Sequence, residues 1–267
     1  MPTALFADPF NKVALITGAG SGIGRAVTQR LAEEGIGRFA ITDRNEAGLA
    51  ETVQMLGLGP DRVLSIVADV TDADAWHEAE ARVRDRFGRL DLALANAGVT
   101  TSGTIVDYPI EDFRRVMAIN VDGVFLTLKS ALRLIVEGKR GGSVVVVSSV
   151  TGVKAQPATG AYGASKAAAF QLAKVAAKEH APDRIRVNAI LPGGVETPIW
   201  WDQPSFRDLV AKTGSEKGAF DTLAGLTTPL GRYFTPDEMA GQILYLLSDL
   251  AVNVTGIGLI ADGGYTI

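Results

Sequence analysis

Hydrophobic positions along the chain fall into two alternating patterns. Short runs rich in β-branched residues at 12–17, 39–42, 63–68, 90–95, 143–148, 185–190 and 257–261 have the length of strands. They are continuous rather than alternating, and the run at 143–148 holds four consecutive valines. A strand apolar on both sides is buried on both faces. Between these runs lie longer stretches with helical spacing at 21–34, 46–56, 72–87, 110–137, 161–181 and 236–248. In the third of these, Trp76, Ala79, Val83 and Phe87 share one face. Pro182 stops the helix over 161–181, and the last helix opens on Thr235-Pro236 with Glu238 three residues after the cap, a capping-box signature.

Buried strands alternating with amphipathic helices predict an α/β fold, a doubly wound three-layer sandwich around a parallel sheet. A length of 267 residues suits one large domain over 1–267. One stretch, 193–234, breaks the alternation, mixing Pro198, Pro204, Gly214, Gly218, Gly225 and Pro229 with Trp200, Trp201 and Phe206. It reads as irregular. Because it follows a strand, and ligands of open α/β sheets sit beyond the carboxyl ends of strands, it is the candidate substrate lid.

Composition narrows the chemistry. Without cysteine the chain has no disulfide, thiolate or iron–sulfur chemistry. A net charge of −4 provides no general attraction to nucleic acid or an anionic membrane. The opening residues 1–11 carry no basic leader, and Val13-Ala14-Leu15-Ile16 is too short to span a bilayer, so a soluble, cytoplasmic protein is expected. His77 and His180 have no partner at metal-ligand spacing, and no metal site is expected.

The glycines cluster where chemistry is expected. After the first strand comes Thr17-Gly18-Ala19-Gly20-Ser21-Gly22-Ile23-Gly24, leading into a helix. Such a turn lets backbone N–H groups approach a pyrophosphate at a helix N-terminus, and the strand–turn–helix context favours that reading over a merely flexible turn. Asp43 ends the second strand, about twenty residues on. A carboxylate there accepts hydrogen bonds from ribose hydroxyls and repels a 2′-phosphate, which favours NAD over NADP. Two alternatives stand beside it: Asp43 as a cap for the following helix, and Arg44 as a partner for a 2′-phosphate. Further along, Tyr162 and Lys166 lie four apart on one helix face. A nearby ammonium favours a phenolate, making the pair a plausible general acid/base. Ser149 ends the valine-rich strand, where its hydroxyl either holds a substrate oxygen or caps the loop.

Together these motifs resemble the short-chain dehydrogenase/reductase family. The resemblance runs from Lys12 to the C-terminus and rests on Thr17-Gly18-x-x-x-Gly22-Ile23-Gly24, Asp69-Val70, Asn96-Ala97-Gly98, Asn120, Ser149, Tyr162-x-x-x-Lys166, Pro192-Gly193 with Thr197, and Asp262-Gly263-Gly264. It implies a Rossmann-like, seven-stranded parallel sheet and a catalytic tetrad. Tyr162 would be the acid/base, and Lys166 would lower its pKa and bind the nicotinamide ribose. Ser149 would polarise the substrate oxygen, and Asn120 would hold a water linking Lys166 to solvent. Ser149 rather than Ser148 has the family's spacing of thirteen positions before the tyrosine. The cofactor would lie along Gly18, Ser21, Gly22, Ile23, Gly24, Asp43 and Arg44. Asp69 and Val70 would touch adenine, Asn96, Ala97 and Gly98 would lie near the ribose, and Pro192, Gly193, Val195 and Thr197 would hold the nicotinamide end. The family often has Asn where this chain has Ala95.

The implied activity is NAD(H)-dependent interconversion of a secondary alcohol, cyclic or aryl-substituted, with its ketone, by an oxidoreductase of the alcohol dehydrogenase and ketone reductase type. The ending Ala261-Asp262-Gly263-Gly264-Tyr265 is similar to those of dehydrogenases for cyclic alcohols and diols. The alternatives are an NADPH-dependent reductase of a β-ketoacyl thioester or xenobiotic ketone, and a cofactor-binding sensor without turnover. The family also implies a homotetramer. For the substrate end, Gln156 is a candidate. Trp200 and Trp201 are open between substrate contact, a small core of the lid and a subunit contact.

Overall fold

The computed structural model describes residues 4–267, so the first three residues of the opening read as carrying no basic leader lie outside them. Seven strands form one sheet in the order β3-β2-β1-β4-β5-β6-β7, every neighbouring pair parallel. They are β1 (Val13–Thr17), β2 (Arg38–Asp43), β3 (Val63–Val67), β4 (Leu92–Ala95), β5 (Gly142–Val147), β6 (Ile185–Pro192) and β7 (Gly258–Ala261). The order reverses between β1 and β4, and a crevice opens there at the carboxyl ends. β1 and β4 are buried along their whole length and β5 from Ser143 onward, as their unbroken apolar runs require.

Helices cover both faces. One core layer packs α3 (Ala73–Phe87), α5 (Gly123–Gly138) and α6 (Gly160–His180) on the sheet through Trp76, Val83, Leu128, Ile135, Ala169 and Ala173. The other uses α1 (Gly22–Glu33), α2 (Glu46–Leu56) and α9 (Pro236–Leu247) through Val27, Leu31, Leu49, Ile243 and Leu247. The capping box at Thr235 and Glu238 is present, with Thr235 N donating to Glu238 at 2.9 Å and Glu238 N donating to Thr235 Oγ1 at 3.2 Å. Among the described residues no helix is long and apolar enough to cross a membrane.

Two expectations change. The helical pattern over 110–137 is α4 (Ile110–Met117) and α5 joined by a π-helical turn at Ala118–Asp122, which carries Asn120 inward. The stretch 193–234 is largely helical, with α7 (Pro204–Thr213) and α8 (Glu216–Thr227). Pro204 begins α7 and Gly214 closes it with φ +78°, while Gly218 and Gly225 lie within α8. These helices bury Phe206, Phe220 and Ala224 against Trp200 and Tyr233, a satellite core of their own.

The C-terminal end of α9 is held by Arg186 of β6. Its guanidinium donates to the carbonyls of Leu246 at 2.7 Å, Leu247 at 3.1 Å and Ser248 at 2.8 Å, satisfying groups a helix end leaves orphaned. Arg186→Met strands the Leu247 and Ser248 carbonyls in a largely enclosed setting, while the Leu246 carbonyl keeps Ser143 Oγ as a donor at 3.1 Å. Urea denaturation is expected to show a loss of about 3 kcal/mol, with the urea dependence unchanged.

Candidate active site

The carboxyl ends of the strands and the lid enclose one continuous cleft of about 660 Å³. At one end the turn after β1 starts α1. Gly18 and Gly22 have φ of +66° and +51°, which the sharp reversal requires. Ser21, the N-cap, makes no side-chain capping bond, and the first turn of α1 faces the cleft. Arg25 ties the turn down from the far side by donating to the Gly20 carbonyl at 2.5 Å and to Glu51 at 2.7 Å. Asn96 fastens it to β4, with Nδ2 donating to the carbonyls of Thr17 at 3.0 Å and Gly18 at 3.3 Å.

Asp43 sits at the rim of the same end. Its Oδ2 accepts from Gly20 N at 3.0 Å and its Oδ1 from Asn45 N at 2.9 Å. The cap of α2 is Asn45, whose side chain accepts from Gly48 N, so Asp43 is held in the cleft rather than spent on the helix. Arg44 lines the same rim and is exposed. Asp69, Val70, Ala97, Gly98, Pro192, Gly193, Val195 and Thr197 also line the cleft, as does Ile23. Gly24 does not. A Cβ there would lie 2.1 Å from the Gly18 carbonyl oxygen, so this glycine lets the helix press against the turn.

Ser149, Tyr162 and Lys166 converge at the other end. The adjacent serines divide their tasks. Ser148 Oγ donates to the Lys166 carbonyl at 2.7 Å and anchors α6 to β5, while Ser149 reaches the Tyr162 phenol. Ser149 Oγ in turn accepts from Thr151 N at 3.2 Å and Thr151 Oγ1 at 3.0 Å. Thr151 was not singled out by sequence, although a hydroxyl two residues after a serine is a common local hydrogen-bonding arrangement.

Lys166 is buried, with Nζ donating to the Val147 carbonyl at 2.9 Å and lying 5.6 Å from the centre of the Tyr162 ring. Asn120 is fully buried. Its Nδ2 donates to Val99 O at 2.9 Å and Ser165 Oγ at 3.0 Å, and its Oδ1 accepts from Val99 N at 2.9 Å. Ser165 Oγ donates to the Tyr162 carbonyl at 2.7 Å, so Asn120 braces the first turns of α6. A Cβ on Gly98 would lie 3.1 Å from Asn120 Oδ1 and 3.2 Å from Lys166 Nζ, and glycine keeps the space between them open.

The electrostatics correct one expectation. Burial pushes the Tyr162 phenol up, and the hydrogen bond from Ser149 opposes that without overcoming it; the expected lowering by Lys166 is absent. The physical reason is that burial penalises the charged form of both groups, raising Tyr162 and bringing Lys166 down to about 8. Its folded value is depressed, so the unfolded chain holds more protons between about 8 and 10.5. Stability therefore rises with pH across that window, and the burial penalty is fully present below it. Lys166→Met is expected to flatten that rise and to stabilise the fold at neutral pH by about 2 kcal/mol, after allowing for the lost bond to Val147. Urea denaturation at several pH values measures both effects.

On the lid side, Trp200 lines the cleft, stacks on Tyr233 at 5.5 Å and donates from Nε1 to Val195 O at 2.8 Å. It is part of the lid's own core as well as of the wall. Trp201 does not line the cleft; it packs edge-on against Phe206 at 5.8 Å and is otherwise exposed. Gln156 lines the cleft, as does Tyr265, which sequence reasoning had not placed there. His77 is exposed, and His180 Nδ1 lies 3.1 Å from Asp183 Oδ2. Among the described residues no three His, Asp or Glu side chains gather as a metal would need.

Comparison with known proteins agrees with this geometry. The family model for enoyl-(acyl carrier protein) reductase matches residues 18–266. The chain is 38% identical to 3-oxoacyl-(acyl-carrier-protein) reductase of Thermotoga maritima, over 96% of this chain and 98% of the relative. It is 35% identical to trans-4-hydroxycyclohexanecarboxylate dehydrogenase of Sinomonas cyclohexanicum, over 96% and 93% of the two chains. Carveol dehydrogenase from Mycobacterium avium, solved in complex with NAD, superposes with a TM-score of 0.90 at 31% identity over 99% of both chains. The chain belongs to the short-chain dehydrogenase/reductase family and is an oxidoreductase of alcohol and ketone groups.

Proposed function

We propose that the protein interconverts a cyclic or aryl-substituted secondary alcohol and its ketone with NAD(H). The observation that carries this reading is the meeting of Ser149, Tyr162 and Lys166 at one end of a cleft whose other end holds Asp43. The residues fit a nicotinamide dinucleotide: the left-handed glycines of the turn, the uncapped first turn of α1 and the length of the cleft suit a pyrophosphate flanked by two nucleosides. Gly18, Ser21, Gly22 and Ile23 would hold the phosphates. Asp43 would hold the adenosine ribose, Asp69 and Val70 the adenine, and Asn96 to Gly98 with Lys166 the second ribose. Pro192, Gly193, Val195 and Thr197 would hold the nicotinamide. When bound, the cofactor supplies the hydride acceptor for oxidation or the donor for reduction, and in its oxidised form a positive charge near the phenol.

The chain's own residues manage the proton. Ser149 donates to the substrate oxygen, its own oxygen already accepting from Thr151. Tyr162 Oη takes the alcohol proton in oxidation and returns it to the carbonyl oxygen in reduction. The Lys166 ammonium, with its value near 8, is charged at neutral pH; its charge, joined by that of the oxidised nicotinamide, is proposed to work against the burial that raises Tyr162 as the phenolate forms. Asn120 keeps α6 in register and is proposed to sit beside the water that resupplies protons through Lys166.

NAD is favoured over NADP because the Asp43 carboxylate is fixed by two backbone N–H groups at the rim, where a 2′-phosphate would face it. Arg44 on the same rim supports the second reading, an NADPH-linked reductase. Fluorescence titration with NADH and NADPH decides between them. NADH is expected to bind about a hundredfold more tightly, since a like-charge contact costs several kcal/mol. Asp43→Asn should narrow that gap at least tenfold; tighter NADPH binding by the unaltered protein would give Arg44 the deciding role. A cytoplasmic location and a homotetramer are part of the same reading, the assembly supported by the exposed Phe113 and Phe125 on α4 and α5 and by Ile260 on the edge strand β7.

A further inference from the structure

The substrate end of the cleft is closed by two segments far apart in sequence. One is the loop that leads into α6. Its backbone is fixed, with Thr159 Oγ1 donating to the Gln156 carbonyl at 2.8 Å and Gly103 N donating to the Ala158 carbonyl at 3.0 Å. The other is the tail after β7. There the Asp262 carboxylate accepts from Gly264 N at 2.9 Å, Thr266 N at 2.8 Å and Thr266 Oγ1 at 2.7 Å, folding the tail back on itself.

This fold places Tyr265 against the loop by three contacts. Its Oη donates to Gln156 Oε1 at 2.9 Å, its ring lies 4.4 Å from Lys154 Nζ, and its carbonyl accepts from the same ammonium at 2.5 Å. The Gln156 amide is therefore held by its oxygen. Its Nε2 donates to no protein group among the described residues, although the side chain lines the cleft. An amide whose oxygen accepts a hydrogen bond is the better donor, and one held in place loses less freedom on binding.

We propose that Gln156 is a specificity-determining residue positioned by Tyr265: its Nε2 donates to a second oxygen of the substrate, selecting cyclic secondary alcohols that carry a further hydroxyl, carbonyl or carboxylate. The inference rests on the alcohol–ketone reading above. It names the polar group that reading leaves unassigned.

The test compares cyclohexanol with the positional isomers of cyclohexanediol. Dissociation constants are measured by calorimetry on the NADH-loaded protein, where alcohol and reduced cofactor cannot react, and then KM and kcat with NAD. For the unaltered protein at least one diol is expected to bind about fivefold to tenfold more tightly than cyclohexanol, one neutral hydrogen bond's worth. In Gln156→Ala, and in Tyr265→Phe, which keeps the ring on Lys154, that ratio should fall to near one, with the change in KM rather than kcat. No diol preference in the unaltered protein, or a preference that survives both substitutions, overturns the inference. A preference that appears and collapses as expected while neither alcohol is oxidised upholds the recognition role and refutes the alcohol–ketone reading. Oxidation of both alcohols at one ratio in all variants does the reverse.

Discussion

Tyr162→Phe is expected to lower kcat/KM for alcohol oxidation by about 10²- to 10⁴-fold, the range a positioned acid/base contributes, while changing NADH affinity less than about twofold. The substitution removes only Oη. The ring stays beside Lys166, whose ammonium is anchored independently on the Val147 carbonyl at 2.9 Å. The cofactor end, fixed by Arg25, Asn96 and Asp43, has no contact with the phenol oxygen. Ser149 remains in place because Thr151 holds it. What is lost is the group that accepts the alcohol proton, and with it the match of proton and hydride movements. Steady-state kinetics with a fluorescence titration of the same preparation separates the two effects. Activity within tenfold of the unaltered enzyme would shift proton transfer elsewhere, first to Asp202, an acidic side chain on the lid side of the cleft.

Gly24→Ala should cost more than an ordinary helix substitution gains. Alanine is the better helix former by about 1 kcal/mol. Here its Cβ would lie 2.1 Å from the Gly18 carbonyl oxygen and 2.7 Å from Asn96 Nδ2, inside van der Waals contact with groups that cannot swing away. Gly18 is held at φ +66°, and Asn96 is already bonded to the Thr17 and Gly18 carbonyls. The helix must move off the turn, breaking those bonds and misplacing the first-turn N–H groups. The expected result is at least 3 kcal/mol of lost stability, at about the upper end for overpacking, and NADH binding weakened by about a hundredfold or more. Urea denaturation and titration measure these, and near-normal values in both would mean that the turn is not the rigid cradle described.

Much of the scaffold is legible in the sequence because burial on both sides of a strand leaves a local trace. The run read at 143–148 is β5 displaced by one residue, and the helix over 46–56 is α2 residue for residue. Caps are equally local: Thr235, Pro236 and Glu238 announce α9 without any tertiary information. The lid was misread because its helices are amphipathic only toward a small aromatic core, and its glycines and prolines resemble loop residues, although Pro204 and Gly214 bound α7 and Gly218 and Gly225 lie within α8. The π turn at Asn120 has no such trace. Its inward residue is paid for by Val99 and Ser165, partners from other parts of the chain.

In the active site the motif residues and the roles the resemblance implies were legible, and the contacts that hold those residues in place were not. The spacing to Tyr162 picked Ser149 over Ser148, but nothing local announced that Ser148 would anchor α6 through the Lys166 carbonyl. The Gln156–Tyr265 contact spans 109 positions and exists only because β7 ends beside β6. The direction of the Tyr162 shift was also beyond sequence, since spacing reports that an ammonium is near but not how much water burial removes from both groups.

The most direct test of the account is to incubate the purified protein with cyclic and aryl secondary alcohols in the presence of NAD or NADP and to follow reduced cofactor and ketone together. The account predicts that ketone and NADH appear in equal amounts, much faster than with NADP, and that neither forms at a comparable rate with Tyr162→Phe. Failure of every secondary alcohol and ketone to react with a cofactor that the protein demonstrably binds would contradict it and make the cleft a cofactor sensor.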